Sequence, residues 1–296
     1  MDRIPTHFET FDERFRGCNG DDWVIPIFSD GRWTEGPAWF PAHGVLVFSD
    51  IPNDRLMRYD EATGTVGTFR QPSNFTNGNL MDRRGRLVSC EQGGRRITRT
   101  EPDGTLTVLA ERWQGKRFNS PDVIVEHSNG SLWFSDPSYG IDSNYEGIRA
   151  RRDLDHCMVF RHDVETGAVD CVLDDLGMPN GLAFTADETH LFIVDCHENQ
   201  IRRYRVIDGR HLDEGELFAE GDTGPLDSLT LDDAGRVWAA AGHGVDCYHP
   251  DGTRLGRLHL PELVSNLTFG GTRLNDLFIT ATSSVYTLRL KVTGLR

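Results

Sequence analysis

No run of about 18 apolar residues, the length a membrane-spanning helix needs, occurs in the chain, so no membrane span is expected. The first residues, MDRIPTHFETFDERFRGC, mix acids and bases and lack an apolar stretch. They do not read as a signal peptide, and a cytoplasmic location is the expectation. The six cysteines, at 18, 90, 157, 171, 196 and 247, include no CxxC pair. That excludes a disulfide scaffold and a cysteine zinc site, and fits free thiols in a reducing compartment. The eleven histidines form no HExxH, and no GxSxG nucleophile elbow is present. Basic residues are the minority: 31 Lys and Arg against 46 Asp and Glu, a formal charge of −15. Such a surface argues against nucleic acid and anionic membranes as partners. A small molecule is the expected partner, and the protein itself is expected as a monomer or small homo-oligomer.

What the chain does have is a repeat. A small-residue turn leads into an alternating strand, a Gly or Asp turn follows, and then a second strand rich in apolar and aromatic residues. The copies are GPAWFPAHGVLVFSD (36–50), GNLMDRRGRLVSCE (78–91), SPDVIVEHSNGSLWFSD (120–136), NGLAFTADETHLFIVD (180–195), DSLTLDDAGRVWAA (227–240) and SNLTFGGTRLNDLFITA (265–281). Their starts lie 42, 42, 60, 47 and 38 residues apart. Several short strands in each repeat of this length predict propeller blades, and period-2 alternation broken by glycine turns makes helical repeats a poor alternative. The expected fold is all-β: one domain over residues 1–296, a six-bladed β-propeller of four-stranded antiparallel blades around a central channel. The strand-like ends VIPIFSDGRW and SSVYTLRLKV could close the ring by sharing a blade, with residues 1–30 leading in. The wide spacing between copies three and four holds a polar, irregular stretch, residues 138–157, expected as a loop inserted on one face.

The innermost strand of each blade lines the channel, and its first residues face one mouth. Those positions carry Glu35, Asn77 or Asn79, Asp122, Asn180, Asp227 and Asn266. Asn and Asp are ordinary turn residues. A full ring of oxygen-bearing side chains is costly, however, unless it pairs with donors or a cation. Oxygen-only ligation suits a hard divalent ion.

TEGPAWFP, FSDIPNDRLMRYD, CEQGGRRITRTEPDGT, GKRFNSPD, SLWFSDPSYGI, MPNGLAFTADE, VWAAAGHGV and SNLTFGG follow one another along the chain. This series resembles the bacterial gluconolactonases of the senescence-marker-protein/gluconolactonase (regucalcin-like) family over most of its length. The resemblance implies a propeller with one catalytic divalent cation at the channel mouth, calcium first, with magnesium, manganese or zinc as alternatives. It implies hydrolysis of a lactone, in particular a sugar lactone. By position, Glu35, Asn180 and Asp227 match metal ligands, and Asp227 also matches the general base. The run Asn119-Ser120-Pro121-Asp122 matches the family's Asn-Ser-Pro-Asn-Asp. Without a gap Asp122 takes the place of an asparagine ligand, and with a one-residue deletion it takes that of the following aspartate. Arg117, Asn119, Asn77 and Tyr139 are the expected substrate contacts.

The chemistry is coherent with those groups. A divalent ion polarises a carbonyl and acidifies water, and a neighbouring carboxylate takes the proton. Departures from the family pattern cluster near the mouth: Asp122, Gln92 of Cys90-Glu91-Gln92-Gly93, Cys196 and His197 after Asp195, Ser228 after Asp227, and His243 between Gly242 and Gly244. They leave two other readings open. One is the same metal propeller acting on another cyclic ester, an amide, a phosphotriester or a rearrangement substrate. The other is a non-catalytic binding propeller.

Overall fold

The computed structural model describes residues 2–295. Six four-stranded antiparallel sheets form a ring, each running from an inner to an outer strand. Blade one is Thr34–Phe40, Val45–Asp50, Arg55–Asp60 and Thr65–Arg70. Blade two is Thr76–Met81, Leu87–Glu91, Arg96–Thr100 and Leu106–Ala110. Blade three is Ile124–Glu126, Leu132–Asp136, Met158–His162 and Val169–Leu173. Blade four is Pro179–Phe184, His190–Asp195, Gln200–Ile207 and Glu216–Glu220. Blade five is Leu226–Leu231, Val237–Ala241, Gly244–Tyr248 and Arg254–His259. Blade six is Val264–Gly270, Asp276–Ala281 and Ser284–Arg289, and its fourth strand is Trp23–Phe28 from the other end of the chain.

Phe28 pairs with Val285 and Ile25 with Thr287, so the two ends of the ring are hydrogen-bonded into one sheet. Closure of this kind leaves no unpaired edge at the seam. The preceding residues reach further: Ile4–Pro5 adds to blade six, and His7–Thr10 adds a fifth strand to blade five.

The local sequence explains the strands. Those second from the channel lie between neighbouring blades, and in blades one, two, three and five every residue of that strand is buried. They are therefore nearly continuous apolar runs. The outer strand of blade one is largely exposed and polar. Aromatic residues fill the wedges between blades. Trp133 packs with Leu182, Phe184, Ile193 and Tyr204 between blades three and four, and Trp238 meets the edge of Phe269 between blades five and six. The first hairpin turn of four blades uses one device, in which Asp82, Asn129, Asp187 and Asp232 each accept the backbone N–H two residues ahead. Asx turns of this kind explain the repeated Asp and Asn signals.

Candidate active site at the channel mouth

The inner strands of blades one, two, four, five and six each carry a register shift near the same end, between Glu35 and Ala38, Thr76 and Asn79, Pro179 and Leu182, Leu226 and Leu229, and Val264 and Asn266. Such bulges re-aim a side chain that regular pairing would leave on the sheet face. Glu35, Asn77, Asn180, Asp227 and Asn266 sit at these irregularities.

Blade three reaches the same result differently. Its inner strand begins at Ile124, two residues later than the sequence pattern suggests, because the Ser135 hydroxyl takes the Val123 N–H (3.1 Å). Asp122 still donates its N–H to the Ser135 carbonyl (2.9 Å) and is almost completely buried.

Glycines following the ring residues bring neighbouring blades close. A Cβ on Gly36 would lie 2.1 Å from the Asn77 carbonyl oxygen, one on Gly78 2.1 Å from that of Asp122, and one on Gly181 2.6 Å from the Ser228 Cα. The Gly78 N–H donates to the Asp122 carbonyl at 2.8 Å.

Hydrogen bonds orient the ring. Asn266 Nδ2 donates to Glu35 Oε2 (2.8 Å), Asn180 Nδ2 to Asp227 Oδ1 (2.8 Å) and Gln92 Nε2 to Asp122 Oδ2 (3.1 Å). Four buried oxygens around the mouth find no donor among the described residues: Asn77 Oδ1, Gln92 Oε1, Asp122 Oδ1 and Asn180 Oδ1. Asn79, the alternative to Asn77, is satisfied by Gly36, Ser49, Asn77 and Ser89 and belongs to the framework.

Burial lifts Asp122 well above the usual carboxylate range, and the charges of Glu35, Asp227, Glu146 and Asp136 push it the same way. Asp227 is lifted well above its usual value by burial and then by Glu35 and Glu146, against the Asn180 bond, though the mouth leaves it partly open to solvent. Glu35 is pushed up to about 7 by burial despite its bonds from Asn266 and Gly36.

These carboxylates need positive charge to ionise together, and every orphaned side-chain atom beside them is an acceptor. That donor set fits a hard cation. Among the described residues no three His, Cys, Asp or Glu side chains cluster closely enough to hold an ion alone. Amide oxygens such as Asn180 Oδ1 would therefore have to complete its shell.

The inserted segment crosses the mouth. Its short helix Tyr139–Asp142 is rooted by Gly140 N–H donating to Ser120 Oγ (3.0 Å) and by Arg152 donating to Ser138 Oγ (2.6 Å). Tyr145 reaches the opposite rim, donating to the Arg32 carbonyl at 3.2 Å beneath the Arg32 guanidinium. The segment brings Tyr139 against Cys196, beside Asp227 and Asp122, and it brings Glu146 within range of all three acidic ring residues.

Arg117 and Asn119 lie in the supporting wall. The Arg117 guanidinium donates to the Gly94 carbonyl (2.7 Å). Asn119 Nδ2 bonds the carbonyls of Asp136 and His156, and the Asn119 and Ser120 N–H groups are held by the Asp136 carboxylate, which burial raises to about 7.

Sequence reasoning missed Glu146, which sits in a segment without period, and the supporting carboxylate Asp136. Gln92 and Cys196 stood out in the sequence only as departures from a pattern, and both prove to face the site.

Residues 33–283 match the family model described as the SMP-30/Gluconolactonase/LRE-like region. The chain belongs to this family. Among SMP-30/gluconolactonase relatives, a gluconolactonase of Zymomonas mobilis is 29% identical, with 90% of this chain and 81% of that protein aligned. A pentonolactonase of Haloferax volcanii is 30% identical over 84% of this chain and 81% of its own length. A solved gluconolactonase from Xanthomonas campestris superposes with a TM-score of 0.92 at 33% identity, covering 98% of this chain and 97% of that one. The superposition covers nearly the whole of both chains.

Proposed function

We propose that the protein is a divalent-metal-dependent lactonase acting on a sugar lactone, with Glu35, Asp122, Asn180 and Asp227 as the residues that would hold the ion. The observation that carries this reading is the group of buried acceptor oxygens without donors, set among three carboxylates. The relatives' lactonase activities agree with it. When bound, a divalent ion would supply Lewis-acid polarisation of the lactone carbonyl and the positive charge the carboxylates lack. Calcium suits an oxygen-only donor set, and magnesium, manganese or zinc are the alternatives to compare.

The chain's own groups divide the remaining work. Asp227 Oδ1 is oriented by Asn180, and its second oxygen is free to take a proton from the attacking water. Asn266 holds the Glu35 carboxylate, and Gln92 holds that of Asp122. Asn77 Oδ1 and the Tyr139 hydroxyl, both at the mouth, contact the substrate. Arg117 and Asn119 support the wall of the mouth.

The test is acid release from a panel of aldonolactones by protein stripped with chelator, with calcium, magnesium, manganese and zinc added back separately. Metal-restored hydrolysis that Asp227→Asn abolishes is the expected result, and hydrolysis indifferent to chelator would sink the metal reading.

A second reading keeps the metal propeller and changes the electrophile. It is favoured by Asp122, Gln92 and Cys196, which depart from the family pattern and all face the mouth. Turnover of a phosphotriester or non-sugar ester, with none of any aldonolactone, would decide for it.

A further inference from the structure

One charged group in the mouth takes no part in the chemistry above. Glu146 is half-buried; burial raises its carboxylate to about 7, it lies within range of the charges of Glu35, Asp122 and Asp227, and no hydrogen bond or ion pair among the described residues holds it. Its position is nevertheless built. The neighbouring Tyr145 is latched to the Arg32 carbonyl across the mouth. On the other side, a Cβ on Gly147 would lie 2.1 Å from the Gly140 carbonyl oxygen, so the two arms of the segment pack backbone against backbone. Ala150 N–H donates to the Ile141 carbonyl (3.0 Å), and Arg149 N–H to Asn144 Oδ1 (2.9 Å). The carboxylate is thus held in place with its oxygens unused by the described residues and still open to solvent, free to receive a donor from a ligand.

The ring itself holds buried acceptors without donors. A bound ion would take up Asp122 Oδ1 and Asn180 Oδ1, and Asn77 Oδ1 and Gln92 Oε1 still lack donors among the described residues. The guanidiniums of the wall are engaged elsewhere, Arg95 with the carbonyls of Phe118 and Asn119, Arg117 with Gly94, and Arg152 with Ser138, while that of Arg32 lies exposed over the Tyr145 ring at the rim. A divalent ion adds two positive charges against four carboxylates, Glu35, Asp122, Asp227 and Glu146. A molecule that satisfies this mouth therefore brings several O–H groups and no negative charge.

We propose that Glu146 is a specificity-determining residue: it accepts a hydroxyl of a neutral polyhydroxylated lactone and, with the ring carboxylates, turns away lactones that carry a carboxylate or phosphate. The proposal rests on the lactonase reading. Its test compares kcat/KM for gluconolactone and 6-phosphogluconolactone in wild type, Glu146→Gln, Glu146→Asp and Tyr145→Ala.

Wild type should favour the neutral lactone by about tenfold or more, as one charge pair within the mouth allows. Glu146→Gln should raise KM for the neutral lactone about tenfold with kcat nearly unchanged, the loss expected for one hydrogen bond to a charged acceptor, and should narrow the preference. Glu146→Asp, which keeps the charge, should retain the preference. Tyr145→Ala, which frees the latch, should raise KM for both lactones. Equal use of the two lactones by wild type, or unchanged KM and preference in Glu146→Gln, would overturn the proposal.

Failure of metal-loaded protein to turn over either lactone would be a failure of the lactonase reading instead. Selectivity is then read by calorimetric titration with glucitol and gluconate. Glucitol binding that Glu146→Gln weakens supports the role of Glu146. Gluconate binding as tight as glucitol, or no glucitol binding, refutes it.

Discussion

At the scale of single residues, the mouth places acids where no protein cation neutralises them. Asp227→Asn keeps the bond from Asn180 within reach of an amide oxygen while removing the proton acceptor. Its kcat/KM should fall by about 10²–10⁴-fold, the usual contribution of a positioned base, with circular dichroism and thermal midpoint close to wild type. The same acids make the metal-free protein pH-sensitive in a defined direction. Glu35 is lifted to about 7, and Asp122 and Asp227 are lifted well above their usual values. The folded state therefore holds protons that the unfolded chain has released. Stability from these groups is complete below the unfolded carboxylate range and is lost as pH rises towards the folded values. For Glu35 alone the loss is on the order of 3 kcal/mol. The thermal midpoint of chelated protein should fall between pH 5 and 8, calcium should reverse the fall, and Asp122→Asn should flatten it. A midpoint that rises across that interval in chelated protein would contradict the electrostatic account.

At the scale of elements, the inner strand is the functional unit. Each acts through an irregularity: a bulge turns the polar side chain inward, and in blades one, two and four the following glycine lets the next blade approach. Gly78 shows the constraint most directly, because a methyl group there would press on the Asp122 carbonyl. Gly78→Ala should lower stability by about 1–3 kcal/mol, the cost of overpacking. It should also reduce activity by moving Asp122, measured by denaturant unfolding and by lactone turnover in the same preparation. Gly67→Ala, on the outer strand of blade one, is the control: a Cβ there meets no atom within 4 Å, and both measurements should stay close to wild type. The repeat period and the Asx turns were legible before the structure because they are local. The bulges were not, since they exist only relative to a partner strand. Asn77 and Asn79 could not be separated in the sequence for the same reason: which of two neighbouring amides is satisfied depends on Ser49 and Ser89, in adjoining strands.

At the scale of the whole molecule, closure of the ring depends on residues from opposite ends of the chain. Trp23–Phe28 covers what would otherwise be the open edge of Ser284–Arg289. Deleting residues 1–28 should leave an exposed edge and an incomplete sixth blade. The shortened chain is expected to be aggregated or unfolded, and a monomeric, cooperatively folding product in size exclusion and thermal scans would refute this. Beneath the polar ring the channel opens into a cavity of about 630 Å³, lined mainly by apolar residues of all six inner strands, among them Ala38, Leu80, Ile124, Leu182, Leu229 and Leu267. The polar chemistry is thus confined to one end of a largely apolar shaft.

The sequence by itself determined the fold, because blade periodicity, alternation and turn residues are short-range properties repeated six times. It also named Glu35, Asp122, Asn180 and Asp227 as a candidate set, through their shared place in the repeat and the family resemblance. Only the tertiary structure decided which oxygens are left without donors, that Gln92 and Asn266 orient the carboxylates, and that a segment inserted in blade three carries Glu146 over the mouth. The physical reason is common to all three. Hydrogen-bond satisfaction and electrostatic repulsion are set by groups far apart in the chain, and their partners become known only when the ring is closed.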